Sequence, residues 1–122
     1  MDPDRALRPL ARLLTRSLAV CVRCWCVRRL LACIAPRPVY VHSGADDTWA
    51  DGYGEYLGAH HACPAFNLLG ASTALHTARP PQLGEPVVEG AVGYHCREGG
   101  HSIEDWDWER YMDFADSHLK SG

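Results

Sequence analysis

The sequence predicts an α/β fold built on parallel strands, and three observations carry that expectation. Two short β-rich runs, near residues 39–42 and 92–96, stand far apart in the chain. A stretch with helical features lies between them, and the most regular amphipathic segment follows the second run. Each run also empties into a glycine-bearing loop that carries acidic or histidine side chains. Strand, loop, helix, strand, loop, helix is the order that right-handed crossovers turn into a parallel sheet.

The first strand is Val39-Tyr40-Val41-His42, introduced by Pro36 and Pro38 at the end of an apolar run from Leu30. A short β-branched and aromatic run of this kind suits a buried strand. The loop from Gly44 to Asp51 leads into a helix predicted over 52–61, with Tyr53, Tyr56, Leu57 and His61 on one side. Gly52, Gly54 and Gly58 weaken that helix, and Cys63-Pro64 is expected to stop it. Pro64 to Gly70 then reads as a short helical turn, and residues 71–90, rich in proline and small side chains, as a long surface connection. The second strand covers about Val92 to Cys96. Beyond the loop from Arg97 to His101, a helix is predicted over 105–118. Its Trp108, Tyr111, Met112, Ala115 and Leu119 recur at helical spacing on what reads as the core face. Ser102 and Asp105 supply its start signal.

Charge divides the chain in two. Residues 1–37 hold eight arginines against two aspartates, whereas 38–122 hold four basic and thirteen acidic side chains. The expected organisation is a basic, cysteine-rich leader over 1–29 and a folded part over 30–122. Within the leader, Arg5, Arg8, Arg12 and Arg16 alternate with leucines at helical spacing, which would suit an anionic membrane or a nucleic-acid backbone. The competing reading is that an excess of arginine, leucine, alanine and cysteine is what GC-rich DNA yields out of frame. Arg23, Arg28 and Arg29 interrupt the apolar run, so neither a signal peptide nor a membrane span is expected, and the compartment stays open.

Metal ligation is the next class to weigh. Cys21, Cys24, Cys26 and Cys33 offer four thiolates, but a second CxxC knuckle is missing and arginines flank the set. His60-His61 and His95 lack a partner at ligand spacing, and His95, inside a strand, reads as structural. No metal, cofactor, nucleic acid or membrane partner is therefore expected.

The chemistry gathers at the strand ends, where parallel sheets place their functional loops. Asp47 lies four residues beyond Ser43, and His101 five beyond Cys96. If the two strands are neighbours, about 4.8 Å apart, these side chains meet at one rim. A carboxylate bonded to an imidazole is the base-and-orienter half of a Ser-His-Asp triad. The glycines at 99 and 100 let the backbone turn sharply before the ring. Ser72, in Gly70-Ala71-Ser72-Thr73-Ala74, imitates a nucleophile elbow only superficially, since such an elbow joins a strand to a helix.

Several separated strings now carry a resemblance. They are Ala35-Pro36-Arg37-Pro38-Val39-Tyr40-Val41, Asp47-Thr48-Trp49-Ala50-Asp51 with Gly54-Glu55, Leu68-Leu69-Gly70, Gly84-Glu85-Pro86, and Gly93-Tyr94-His95 through Gly100-His101 to Asp107-Trp108-Glu109. In this order they resemble the C-terminal part of the glucuronoyl esterases, the 4-O-methyl-glucuronoyl methylesterases of carbohydrate esterase family fifteen. The resemblance covers about 90 of the 122 residues. It implies the last two parallel strands and flanking helices of an α/β-hydrolase fold, and a serine-type hydrolase of the ester between glucuronic acid on xylan and lignin alcohols. It further implies that His101 is the catalytic histidine, that Asp47 stands where many members carry the triad acid, and that Trp49 packs on the glucuronoyl sugar. Family members are often secreted or periplasmic.

The resemblance also places the nucleophilic serine and the arginine after it upstream of residue 35, and neither is found in residues 1–28. The expectation is thus a C-terminal fragment that supplies histidine and acid, is inactive alone, and exposes a cut sheet edge. Glucuronoxylan or a glucuronate ester is the substrate the resemblance implies. Two other readings stand beside it. One is a non-catalytic carbohydrate-binding or interaction module using Trp49; the other is a thiol-rich metal or nucleic-acid module built on the first 35 residues.

Overall fold

The computed structural model describes residues 27–73, 75 and 79–120. The expected leader helix and Cys21, Cys24 and Cys26 lie outside them. Residues 27–34 are helical. There follow strand β1 (Val39–Gly44), helix α1 (Gly52–Leu68), strands β2 (Val87–Glu89) and β3 (Val92–Arg97), and helix α2 (Asp105–Leu119). The sheet runs β1-β3-β2. β1 and β3 are parallel, in register from Val39 opposite Val92 to Gly44 opposite Arg97. This is an α/β fold with a mixed sheet and flanking helices, consistent with an α/β-hydrolase-like architecture. Among the described residues β1 has a strand neighbour on one side only.

Period-two alternation sorts the side chains onto two unlike faces. Tyr94 of β3 packs edge-on against Tyr56 of α1, 4.9 Å between ring centres, above a core of Leu31, Ala59, Ala62, Cys63, Phe66, Leu75 and Val92. Val27 and Ile34 pack against the same cluster. On the opposite face, Tyr40 meets Phe114 and Tyr111 of α2 edge-on, and His95 of β3 is fully buried beneath that helix. One face is therefore aliphatic and aromatic, the other aromatic and polar.

Four expectations are corrected. The first helix does not stop at Cys63-Pro64 but runs on to Leu68 with Pro64 inside it. Pro64 is exposed, so water can serve the carbonyl its missing N–H leaves unpaired, while Ala62, Cys63 and Phe66 bury the inner face. The stretch 71–90 is not only connection. Val87–Glu89 pairs antiparallel with β3 through Val87 opposite Tyr94, on a sheet edge where the preceding Pro86 does no harm. Finally, α2 buries Asp107 and Phe114 rather than the expected apolar stripe, since Trp108, Met112 and Leu119 are 54, 57 and 80% exposed. The helix is rotated so that a carboxylate faces the sheet, which no count of apolar residues would suggest. Glu104, not Ser102, is its N-cap, and the Asp107 carboxylate accepts from the Glu104 backbone N–H at 2.8 Å.

Candidate active site

The parallel pairing of β1 and β3 continues past their ends and zips the two functional loops together. Ala45 N–H donates to the Arg97 carbonyl at 2.8 Å and Asp46 N–H to the Gly99 carbonyl at 3.0 Å. The Asp46 carboxylate accepts in turn from Gly99 N–H at 3.2 Å. Gly44 makes this closeness possible. A Cβ there would stand 2.5 Å from the Gly100 carbonyl oxygen and 2.7 Å from that of Gly99.

Asp47 and His101 meet on this zipped pair of loops. His101 Nδ1 donates to Asp47 Oδ2 at 2.6 Å, while Asp47 Oδ1 accepts from the backbone N–H groups of Trp49 at 2.9 Å and Ala50 at 3.2 Å. The His101 bond is the chief reason the Asp47 carboxyl sits below its ordinary range. Partial burial opposes it, and the two backbone donors reinforce it. The carboxylate is thus held ionised and oriented. The imidazole is 78% exposed and its Nε2 has no hydrogen-bond partner among the described residues.

A cleft of about 370 Å³ opens beside the pair, lined also by His42, Gly44, Ala50, Glu55 and Ile103. Trp49 does not line it; its ring is 87% exposed at the loop surface, not pinned in a core. Glu55, quoted above only within a motif string, and His42 are polar cleft residues to which the sequence assigned no role. Glu55 accepts from the buried Ser43 hydroxyl at 2.6 Å, and Tyr94 O–H donates to that same hydroxyl at 3.1 Å. His42 Nδ1 accepts from Tyr111 O–H at 2.7 Å. Both residues lie one strand position or one helical turn from the loops, where sequence distance conceals proximity.

No serine among the described residues bonds to His101. Ser43 is engaged with Glu55, Ser102 with Arg97 and Glu104, and Ser117 with the Phe114 carbonyl. Ser72 is exposed in the segment after α1 and stands at no strand-to-helix elbow. Among the described residues no group of three or more histidine, cysteine or acidic side chains is placed to hold a metal ion. No helix among them is long and apolar enough to cross a membrane.

Comparison with known proteins sets this arrangement in context. No protein-family model matches the chain. It is 39% identical over 93 residues to carbohydrate esterase MZ0003 from an unknown prokaryotic organism, matching 76% of this chain and 21% of that protein. Among solved structures it is similar to a glucuronoyl esterase from Solibacter usitatus, at 40% identity and a TM-score of 0.69 over 76% of this chain and 23% of that one. A promiscuous CE15 esterase from the marine bacterial metagenome is similar at 38% identity and a TM-score of 0.70, with the same coverage. A CE15 glucuronoyl esterase from Teredinibacter turnerae T7901 follows at 34% identity and 0.67, over 75% of this chain and 21% of that one. The chain spans about a fifth to a quarter of the length of these relatives. Over three-quarters of its own length it is homologous to the glucuronoyl esterases of the CE15 family.

Proposed function

We propose that residues 30–122 are the C-terminal part of a serine-type carboxylic ester hydrolase domain acting on glucuronoyl esters, in which Asp47 and His101 form the acid–base half of the catalytic group. The observation that carries the reading is the 2.6 Å bond from His101 Nδ1 to a carboxylate, with Nε2 left free beside a cleft. Residues 1–29 take no part in this reading.

The chemistry follows from that one geometry. A proton on Nδ1, held by Asp47, leaves the Nε2 lone pair as the base that takes a proton from an attacking serine hydroxyl. As the ring becomes imidazolium, the ionised Asp47 stabilises its charge, and Nε2–H then protonates the departing alcohol. No serine among the described residues is hydrogen-bonded to His101, and in this reading the nucleophile comes from other residues of the hydrolase fold. Glucuronoyl substrates are supported by the homology with glucuronoyl esterases, and Trp49 offers an apolar face to a sugar ring.

The test is a chimaera. Residues 30–122 replace the matching segment of the Solibacter usitatus glucuronoyl esterase, and release of benzyl alcohol from benzyl glucuronate is followed. The expected result is hydrolysis by the chimaera and none by the 122-residue chain alone. Hydrolysis that survives His101→Gln in the chimaera would end the proposal.

The exposure of Trp49 favours one further reading, a glucuronate-binding module without catalysis. Quenching of the chain's tryptophan fluorescence by glucuronate, abolished in Trp49→Phe, would support it. No quenching by the isolated chain would dismiss it.

A further inference from the structure

The geometry points to Arg97 as a positioning residue for His101: its guanidinium, braced by Asp107, clamps the histidine loop on both sides and so sets the Asp47–His101 bond. This inference rests on the reading of Asp47 and His101 as a working pair.

Arg97 ends β3 and is only 7% exposed. Its Nε donates to Asp107 Oδ2 at 2.7 Å. Its Nη1 donates to the Glu98 carbonyl at 2.7 Å, and its Nη2 to the Ser102 carbonyl at 2.5 Å and the Ser102 hydroxyl at 3.0 Å. Glu98 and Ser102 flank Gly99-Gly100-His101. The three residues that deliver the ring are thus slung between two carbonyls tied to one planar group. A guanidinium has no internal torsion to relax, so it fixes the span between those carbonyls; a lysine ammonium is a single point and cannot.

The brace behind the clamp is itself anchored. Asp107 Oδ1 accepts from His95 Nε2 at 2.8 Å, and His95 Nδ1 accepts from Tyr40 O–H at 2.9 Å. Burial holds the His95 ring neutral and pushes the Tyr40 hydroxyl up to about 12, so every proton in this row has one place. A buried ion pair is an expensive way to fill a core, and apolar side chains of similar volume are often at least as stable. Its use here has a reason in geometry: the guanidinium N–H groups not spent on Asp107 go to the loop that carries His101. Gly99, at φ +102°, lies against the clamp, with a would-be Cβ 2.7 Å from Arg97 Nη1.

The experiment reads the pair through Asp47, whose carboxyl is lowered chiefly by the bond from His101. The ¹³C titration of the Asp47 carboxyl is recorded in the full chain and in His101→Gln, which sets the full upward shift for losing the bond. Arg97→Lys is expected to move the Asp47 midpoint upward by at least half of that shift. Ser102→Ala removes the hydroxyl that Arg97 Nη2 holds at 3.0 Å without touching Asp107, His95 or the backbone zipper, and decides the matter should Arg97→Lys not fold; a smaller shift in the same upward direction is expected. If His101→Gln moves Asp47 but neither other variant does, Arg97 only supports the fold and the inference is overturned. If His101→Gln itself leaves Asp47 unmoved, the pair fails first, and the inference with it.

Discussion

Asp107, in the first turn of α2, and Arg97, at the end of β3, form an ion pair beneath the helix, with 2.7 Å between Oδ2 and Nε and both side chains all but closed to solvent. The pair explains why α2 turns a carboxylate toward the sheet. Within the pair, burial leaves both carboxylate oxygens partnered: Asp107 receives His95, Arg97 and the Glu104 N–H, and Arg97 reaches the loop beyond. Such a network stabilises when complete and penalises when broken.

Asp107→Ala is accordingly expected to be among the most damaging single changes. It strands the Arg97 guanidinium without its carboxylate and takes the partner of His95 Nε2 as well. Breaking a buried pair on one side costs about 3–5 kcal/mol, a large part of a small domain's stability. Urea unfolding followed by circular dichroism should show the midpoint falling accordingly. A loss under about 1 kcal/mol would mean the pair behaves like a surface contact.

The buried ring of His95 gives the fold a pH dependence with a definite sign. Burial is the main cause that lowers its proton affinity, and the Asp107 bond offsets only part of this. An unfolded histidine titrates at about 6.5, so below that value the unfolded chain binds a proton the folded chain resists. Stability is therefore fully present above about pH 6.5 and is lost as pH falls toward the lower folded value. His61, lowered by burial and by the nearby His60 and Arg28, acts in the same direction. Urea midpoints between pH 7 and 5 should fall in the native chain and fall less in His95→Gln, with His61→Gln measuring the other share. An unchanged slope in His95→Gln would show that the ring takes up its proton as readily in the fold as in the unfolded chain.

What the sequence reveals about this site divides along physical lines. Asp47 and His101 are legible as neighbours because parallel strands must release their loops at one rim, so counting from Ser43 and Cys96 is enough. The strands themselves are legible from their β-branched and aromatic runs. Arg97 and Asp107 are not, since a charged residue in a strand and another on a helix read as solvent-facing until their mutual burial is seen. The same blindness turns α2 onto the wrong face, because Trp108 and Met112 outvote Asp107 in any apolar pattern. Pro64 and the three-residue β2 fail for a different reason: local propensity is weak beside tertiary packing, and Phe66 and Val87 are placed by the partners they bury against.

Pro64 yields an expectation that runs toward stability. Inside α1 it forgoes one backbone hydrogen bond and crowds the preceding turn, a cost of about 3 kcal/mol in a helix interior. Replacement by alanine frees the unfolded chain as well, which returns about 0.4–1 kcal/mol of that. Pro64→Ala should raise stability by about 2–2.6 kcal/mol, since the side chain is exposed and no packing is lost. The check is the urea midpoint. A decrease would mean that the bend at Pro64 is what seats Phe66 in the core.

Gly44→Ala tests the zipper that brings the two loops together. A methyl group there would meet the Gly100 carbonyl oxygen at 2.5 Å and the Gly99 carbonyl oxygen at 2.7 Å. Both obstacles are backbone, so no side chain can swing aside and the loops must part. Overpacking of this kind costs about 1–3 kcal/mol, which the urea midpoint should show. The more telling effect is local: as the histidine loop moves off, Asp47 loses the donor that does most to hold its carboxyl low, while its bonds to Trp49 and Ala50 remain. Its titration midpoint should rise toward the ordinary carboxyl value without reaching it. An Asp47 titration unmoved in a folded Gly44→Ala chain would show that the pair holds together without the backbone zipper.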